Sequence, residues 1–210
     1  MRTTRTVTTG VVTALTLLPC TALTIPASAA TTTTATYKCQ GSAMNRTVEF
    51  TLTQDLTATA PESVSAGGAL TVVHDPAPNK VPDTVGNFTV KEVRNARLHV
   101  PIPTNSSYVS AGLSGGAGLN STPTVAREGD EVVISVAGPI KGGADIELPT
   151  LRLDLTAGAE GTIESKLGGT GYDDPGLTFT ATIQASIITV DAPVSCYPDP
   201  NPPLTTTTIN

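Results

Sequence analysis

Tryptophan is absent from this chain, and phenylalanine and tyrosine together number only seven in 210 residues. A buried core must therefore be assembled from Val, Leu, Ile and Ala. A sugar-binding face built on aromatic stacking platforms has little material to draw on. Histidine occurs twice, as His74 and His99. The two lie far apart with no cysteine to spare beside them, so no zinc spacing forms, and both read as surface residues. Charge is sparse as well: Asp, Glu, Lys and Arg make up 14% of the chain, and the net charge is −6. Residues 1–30 hold two of the twelve basic residues and none of the eighteen acidic ones, so the remainder carries −8. That sign excludes general nucleic-acid binding and electrostatic attachment to anionic membranes. Strong helix formers are few, no window shows a helical period, and no apolar run is long enough to span a bilayer.

What is present begins with an export pattern. Arg2 and Arg5 precede the apolar stretch Val11 to Leu18, and Ala27-Ser28-Ala29-Ala30 supplies the small residues of a cleavage site. This order reads as a secretory signal over residues 1–30, cut after Ala29 or Ala30. Cys20 follows Leu17-Leu18-Pro19, and proline departs from the small residue that precedes a lipidated cysteine, so Cys20 is expected to leave with the signal. Cys39 and Cys196 then remain. An exported chain with two cysteines can close them into one disulfide, which would tie the first strand to the last.

Between the two cysteines the apolar residues alternate. Val48, Phe50 and Leu52 do so, as do Leu98, Val100 and Ile102, and Leu151, Leu153 and Leu155. The longest run is Leu177, Phe179, Ala181, Ile183, Ala185 and Ile187. Strict alternation marks half-buried strands of antiparallel sheets. At Ile187-Ile188 the parity flips, which predicts a β-bulge or a strand changing sheets. Gly- and Pro-rich turns separate the runs, as at residues 66–68, 75–79, 115–118, 128–130, 141–143, 168–171 and 174–176. The expected fold is all-β: an antiparallel β-sandwich, immunoglobulin-like or jelly-roll-like, of about nine to ten strands with termini joined by one disulfide. A single closed barrel is the competing architecture. The domain is expected over residues 37–198. The Thr-rich segment 31–36 and the Pro/Thr-rich tail 199–210 carry few apolar groups and are expected to be flexible, with the Thr runs open to O-linked sugar.

The motifs are weak. Gly112-Leu113-Ser114-Gly115-Gly116 fits G-x-S-x-G, but no helix can follow it and both histidines lie upstream, so a Gly-rich hairpin is expected rather than a nucleophile elbow. Asp173-Asp174 supplies only two local carboxylates for a hard cation and reads as a turn. Glu128, Asp130 and Glu131 read as a solvated hairpin tip. Asn45, Asn87, Asn105 and Asn120 each begin an N-x-Ser/Thr acceptor pattern, taken here as unused. Leu148-Pro149-Thr150 lacks the Thr-Gly ending of a sortase signal. Tyr37 and Tyr197 flank the cysteines and are expected to pack over the disulfide.

Taken together, Tyr37-Lys38-Cys39-Gln40, the Pro61 to Gly68 segment, Val90-Lys91-Glu92-Val93 and Val100-Pro101-Ile102-Pro103 resemble a family of small exported actinobacterial proteins. Gly138-Pro139-Ile140, Glu147-Leu148-Pro149 and Cys196-Tyr197-Pro198 extend the likeness. The resemblance implies a disulfide-closed β-domain of unknown role. Some members carry labels such as cyclase or dehydratase, for which this sequence shows no acid/base cluster, metal site or cofactor fingerprint. The expectation is a secreted or envelope-associated, non-catalytic β-domain with an extracellular or cell-wall partner, no cofactor and no nucleic acid. A secreted enzyme and an adhesin or assembly subunit are the alternatives. A pocket of converging ionisable groups would favour the enzyme, and a long uncovered sheet edge the assembly subunit.

Overall fold

The computed structural model describes residues 27–43 and 45–210. Residues 1–26, with most of the export pattern and Cys20, lie outside that range.

Among the described residues seventeen strands follow in chain order, with no helix. The first seven are β1 (Ser28–Ala43), β2 (Arg46–Pro61), β3 (Ser63–Val64), β4 (Ala69–Pro76), β5 (Asn79–Lys80), β6 (Thr84–Val85) and β7 (Phe88–Pro101). Next come β8 (Ser106–Ser114), β9 (Thr124–Glu128), β10 (Glu131–Val136), β11 (Ile140–Lys141) and β12 (Asp145–Ile146). The last five are β13 (Thr150–Ala157), β14 (Gly161–Ser165), β15 (Leu177–Ala185), β16 (Ile188–Pro198) and β17 (Thr205–Ile209).

Ten of them form one antiparallel path, β8-β13-β4-β2-β1-β16-β15-β7-β10-β9, with β6 and β11 pairing with β7 beside it. The path curls until its two ends approach. Arg127 of β9 lies over the Tyr108 ring of β8, 5.2 Å from the centroid, a cation–π contact across the closing seam. The all-β class, the antiparallel pairing and the disulfide-joined ends are as expected. The sheet is a nearly closed wall rather than two clear layers. Strand twist, accumulated over so many strands, brings the edges together. A small β5–β12 ribbon stands apart, and β14, β17 and β3 form a three-stranded sheet.

The alternating runs seen in sequence are strands, and their apolar faces point inward. Leu151, Leu153 and Leu155 of β13 pack with Leu70, Val72, Val100 and Val132 in one cluster, joined by Ile163 of β14 and Ile209 of β17. A second cluster surrounds the disulfide, with Tyr37, Leu56, Ala58, Val194 and Leu204. The turn signals also hold, and asparagine does much of the turning. Asn45, Asn105 and Asn120, three of the four acceptor-pattern asparagines, have φ between 52° and 60°. Asn tolerates this left-handed region because its side chain can bond the local backbone.

Four expectations need correction. Residues 31–36 are not flexible: they lie within β1, paired with β2 from Thr31 opposite Ala58 to Thr36 opposite Thr53. The tail is likewise ordered. β17 pairs antiparallel with β14 and parallel with β3, burying Thr205, Thr207 and Ile209. Threonine suits a strand, and its hydroxyl is satisfied inside: Thr207 Oγ1 donates to the Pro61 carbonyl at 2.7 Å. The parity flip at Ile187-Ile188 is neither bulge nor sheet switch. Ala185 stands opposite Ile188, so Ser186-Ile187 is a two-residue hairpin turn, with Ser186 at φ 57°. Finally, Cys196 sits on β16, not on the last strand.

Candidate ligand cavity

The wall encloses more space than its side chains fill. The inward positions of β1, β15 and β16 include Gly41, Ala43, Ala181 and Ala192, all of which border a cavity of about 370 Å³. A Cβ on Gly41 would meet Val194 at 3.4 Å and Phe50 at 3.8 Å, ordinary contact distances, so the wall there has room for a small side chain while the interior stays open. The shortage of aromatics has a direct consequence here. Small residues alternate inward where a filled barrel would need large ones.

The lining is apolar over most of its extent. Phe50 and Leu52 of β2 face Phe179 and Ile183 of β15 within it, and all four are only partly buried. The cavity runs from the hairpin turns at one end, where Ala43, Arg46, Val85 and Phe88 border it, to Leu56, His74 and Leu151 deep inside. Its ionisable lining residues are Tyr37, Arg46, His74 and Lys80, and no carboxylate borders it. Lys80 faces Asp145 across the β5–β12 ribbon at 3.8 Å. Burial pushes the Tyr37 phenol well above the usual tyrosine range.

His74 departs from its surface assignment. It is 6% exposed, on the inward face of β4 with Leu70 and Val72.

 The sequence held a signal for this: Leu70, Val72 and His74 share one parity, alternating with Thr71, Val73 and Asp75. Its Nε2 lies 3.3 Å from Ser165 Oγ, which lies 2.7 Å from Thr205 Oγ1. Nδ1 has no hydrogen-bond partner among the described residues. Desolvation pushes the imidazole pKa down to about 4, so His74 is neutral at pH 7. Ser165 is itself buried, and among the described residues no third group bonds His74 at Nδ1. His74, Ser165 and Thr205 make a polar spot at the inner end of an apolar cavity.

The other singled-out residues lie elsewhere. His99 is on the polar face of β7, with Nδ1 2.8 Å from Glu131 Oε2. Glu128 accepts both of its hydrogen bonds from Arg97 at 2.8 Å, so the β9–β10 tip is cross-linked as well as solvated. Asp174 closes its own turn by accepting from Thr170 Oγ1 at 2.7 Å. Among the described residues no three His, Cys, Asp or Glu side chains come together. Ser114 ends β8 opposite Thr150 of β13, with Gly115 and Gly116 following at φ 69° and 88°. This is a strand end leading into a loop, not the expected hairpin, because β8 pairs with β13 rather than β9. Cys39 and Cys196 form the disulfide, and both are fully buried. Tyr37 packs in the same cluster, whereas Tyr197 faces the other side of the sheet, edge-on to Tyr172 at 5.1 Å.

No family model and no curated protein shows a match to the chain. Among solved structures it is similar to a protein of Corynebacterium diphtheriae described as membrane anchored, at 20% identity and a TM-score of 0.47. The likeness covers 86% of this chain and 38% of that one, so the chain spans well under half the length of the protein it matches.

Proposed function

We propose that this protein is a non-catalytic binding domain that works outside the cytoplasm and holds a small apolar or amphiphilic molecule in its barrel. The observation that carries this reading is the cavity of about 370 Å³ lined by Phe50, Leu52, Phe179 and Ile183. Its size falls at the lower end of the range for small-molecule sites, and its lining is mostly apolar with a few polar side chains among it. An elongated ligand would lay its apolar part along the wall. Its polar groups would meet Arg46 near the turns, or Lys80 beside Asn79 further along the wall.

Two further features support binding over the alternatives. Among the described residues the lining contains no carboxylate, so neither a carboxylate pair nor a carboxylate oriented on His74 is present in it. The two edge strands of the main sheet, β8 and β9, approach each other at the Tyr108–Arg127 contact, so neither edge faces open solvent along its whole length. The buried disulfide fits a compartment where thiols oxidise.

The test is a titration with a fluorescent long-chain fatty acid, in the parent and in Ala192→Phe, which places a ring in the cavity. Saturable binding by the parent, weakened at least about tenfold in the variant with circular dichroism unchanged, is expected. Equal binding by both, or none by the parent across chain lengths, overturns the reading. Export is tested separately: N-terminal sequencing of protein from culture medium should begin at Ala30 or Thr31.

A further inference from the structure

Three two-residue turns stand at the end of the barrel that the cavity reaches. Ala43 faces Arg46 across β1 and β2, Val85 faces Phe88 across β6 and β7, and Ala185 faces Ile188 across β15 and β16. Gln184 is opposite Thr89, which sets the β6–β7 and β15–β16 turns side by side. Gly41 opposite Val194 points the β1–β2 turn to the same end, with Ala43 level with Ala192, so that this turn stops short of the Ser186-Ile187 tip.

The third turn is chemically out of place. Two-residue turns favour Asn and Gly, as at Gly86-Asn87, yet this one is Ser186-Ile187. Ile187 is 93% exposed and Ile188 52%. With Val109, they are the exposed large apolar side chains among the described residues. Nothing in the barrel's own packing requires isoleucine there. The three turns with their flanking pairs, residues 43–46, 85–88 and 185–188, contain no acidic residue in a chain of net charge −6. Their one charged residue is Arg46.

We infer that this end docks on a lipid bilayer, with Ile187 and Ile188 inserted among the acyl chains and the cavity facing the membrane. The inference rests on the reading of the cavity as a site for an apolar or amphiphilic ligand. Such a ligand resides in a bilayer, and a site that takes it up gains from opening there. The acid-free turns remove the repulsion that the rest of the chain would meet at a lipid surface, and the apolar tip supplies the attraction. A protein partner fits less well. Two isoleucines on a hairpin tip fall far short of the about 1,200 Å² that a stable protein interface buries. Insertion is driven by apolar area rather than charge, so neutral phosphatidylcholine vesicles are the appropriate probe.

The absence of tryptophan makes the test site-specific. In the full chain, Ile187→Trp creates a single tryptophan at the tip, and Val109→Trp creates one on the exposed part of β8. On adding phosphatidylcholine vesicles, emission from Ile187→Trp should shift to shorter wavelength and be quenched by lipid brominated along its chains. Emission from Val109→Trp should not change. Ile187→Ser/Ile188→Ser should lower vesicle affinity about tenfold or more while still binding the fatty-acid probe in solution. No shift at position 187, an equal shift at position 109, or undiminished vesicle affinity of the serine variant overturns the inference. So does a vesicle-independent shift that grows with protein concentration, which would assign the tip to a second copy. Any of these can occur while the probe still binds in solution, so failure of the docking is distinguishable from failure of the cavity reading.

Discussion

Cys39 of β1 stands directly opposite Cys196 of β16, so the disulfide bridges two neighbouring strands that already pair from Tyr37–Pro198 to Gly41–Val194. The bond therefore reinforces a ladder at the centre of the ten-strand path. It lies between residues 157 apart in sequence, and that separation sets its effect on the unfolded chain. In the chain-entropy model a loop of this length contributes on the order of 4–5 kcal/mol. The Cys39→Ala/Cys196→Ala variant should unfold at markedly lower urea concentration than the parent, with β-type circular dichroism retained at low temperature. Two free thiols per mature chain in the denatured, unreduced parent would refute the bond.

His74 makes stability depend on pH. Its folded pKa of about 4 lies below the unfolded histidine value, because burial disfavours the imidazolium. Above the unfolded pKa the neutral ring fits its site and stability is full. As the pH falls from about 6.5 towards 4, the unfolded chain binds a proton that the native chain excludes, and stability declines by on the order of 3 kcal/mol. The lowered pKa values of Asp154, bonded by Thr71, and Asp191, bonded by Thr182, place their own losses at lower pH. Urea unfolding at pH 7 and pH 4.5 should show this decline in the parent and a much smaller one in His74→Gln. Parallel behaviour of the two proteins would rule out the histidine as the cause.

Removal of residues 204–210 deletes β17 and should destabilise the fold severely. Leu204, Thr205, Thr207 and Ile209 are buried, and Ile209 belongs to the same cluster as Leu153 and Ile163. Losing two large aliphatic side chains removes about 3–6 kcal/mol of apolar burial, before the unpaired edge of β14 is counted. Thermal unfolding of the truncated chain decides the point, and an unchanged melting temperature would restore the reading of a loose tail.

Glycine positions separate packing from motif. A Cβ on Gly176 would sit 1.6 Å from the Gly168 carbonyl oxygen, and a backbone contact cannot yield as a side chain can. A Cβ on Gly112, inside the G-x-S-x-G pattern, meets nothing within 4 Å. Gly176→Ala should lower stability by more than about 3 kcal/mol, while Gly112→Ala stays within about 0.5 kcal/mol of the parent. Ser114→Ala should also match the parent against generic esterase substrates, with neither active. Turnover abolished by that substitution would place a nucleophile at Ser114 after all.

The sequence by itself determined the strands, because alternation such as Leu151, Leu153 and Leu155 has only one economical solution, a face buried against other strands. It determined the disulfide through the count of cysteines left after the export pattern, and most turns through Gly, Pro and Asn. Tertiary structure decided the rest. Alternation says which side chains share a face but not which strand comes to lie across from them, so neither the closure at Tyr108 and Arg127 nor the unfilled interior beside Ala181 and Ala192 was legible. His74 shared the parity of Leu70 and Val72, yet a histidine is kept inside only where a hydroxyl such as that of Ser165 meets it. The tail 199–210 looked too polar to fold, and it is held because Thr205 and Thr207 find partners on segments remote in the chain. The Ser186-Ile187 turn carried no Gly, Asn or Pro. Its conformation comes from the pairing of β15 with β16, and its exposure from the end of the barrel to which that pairing carries it.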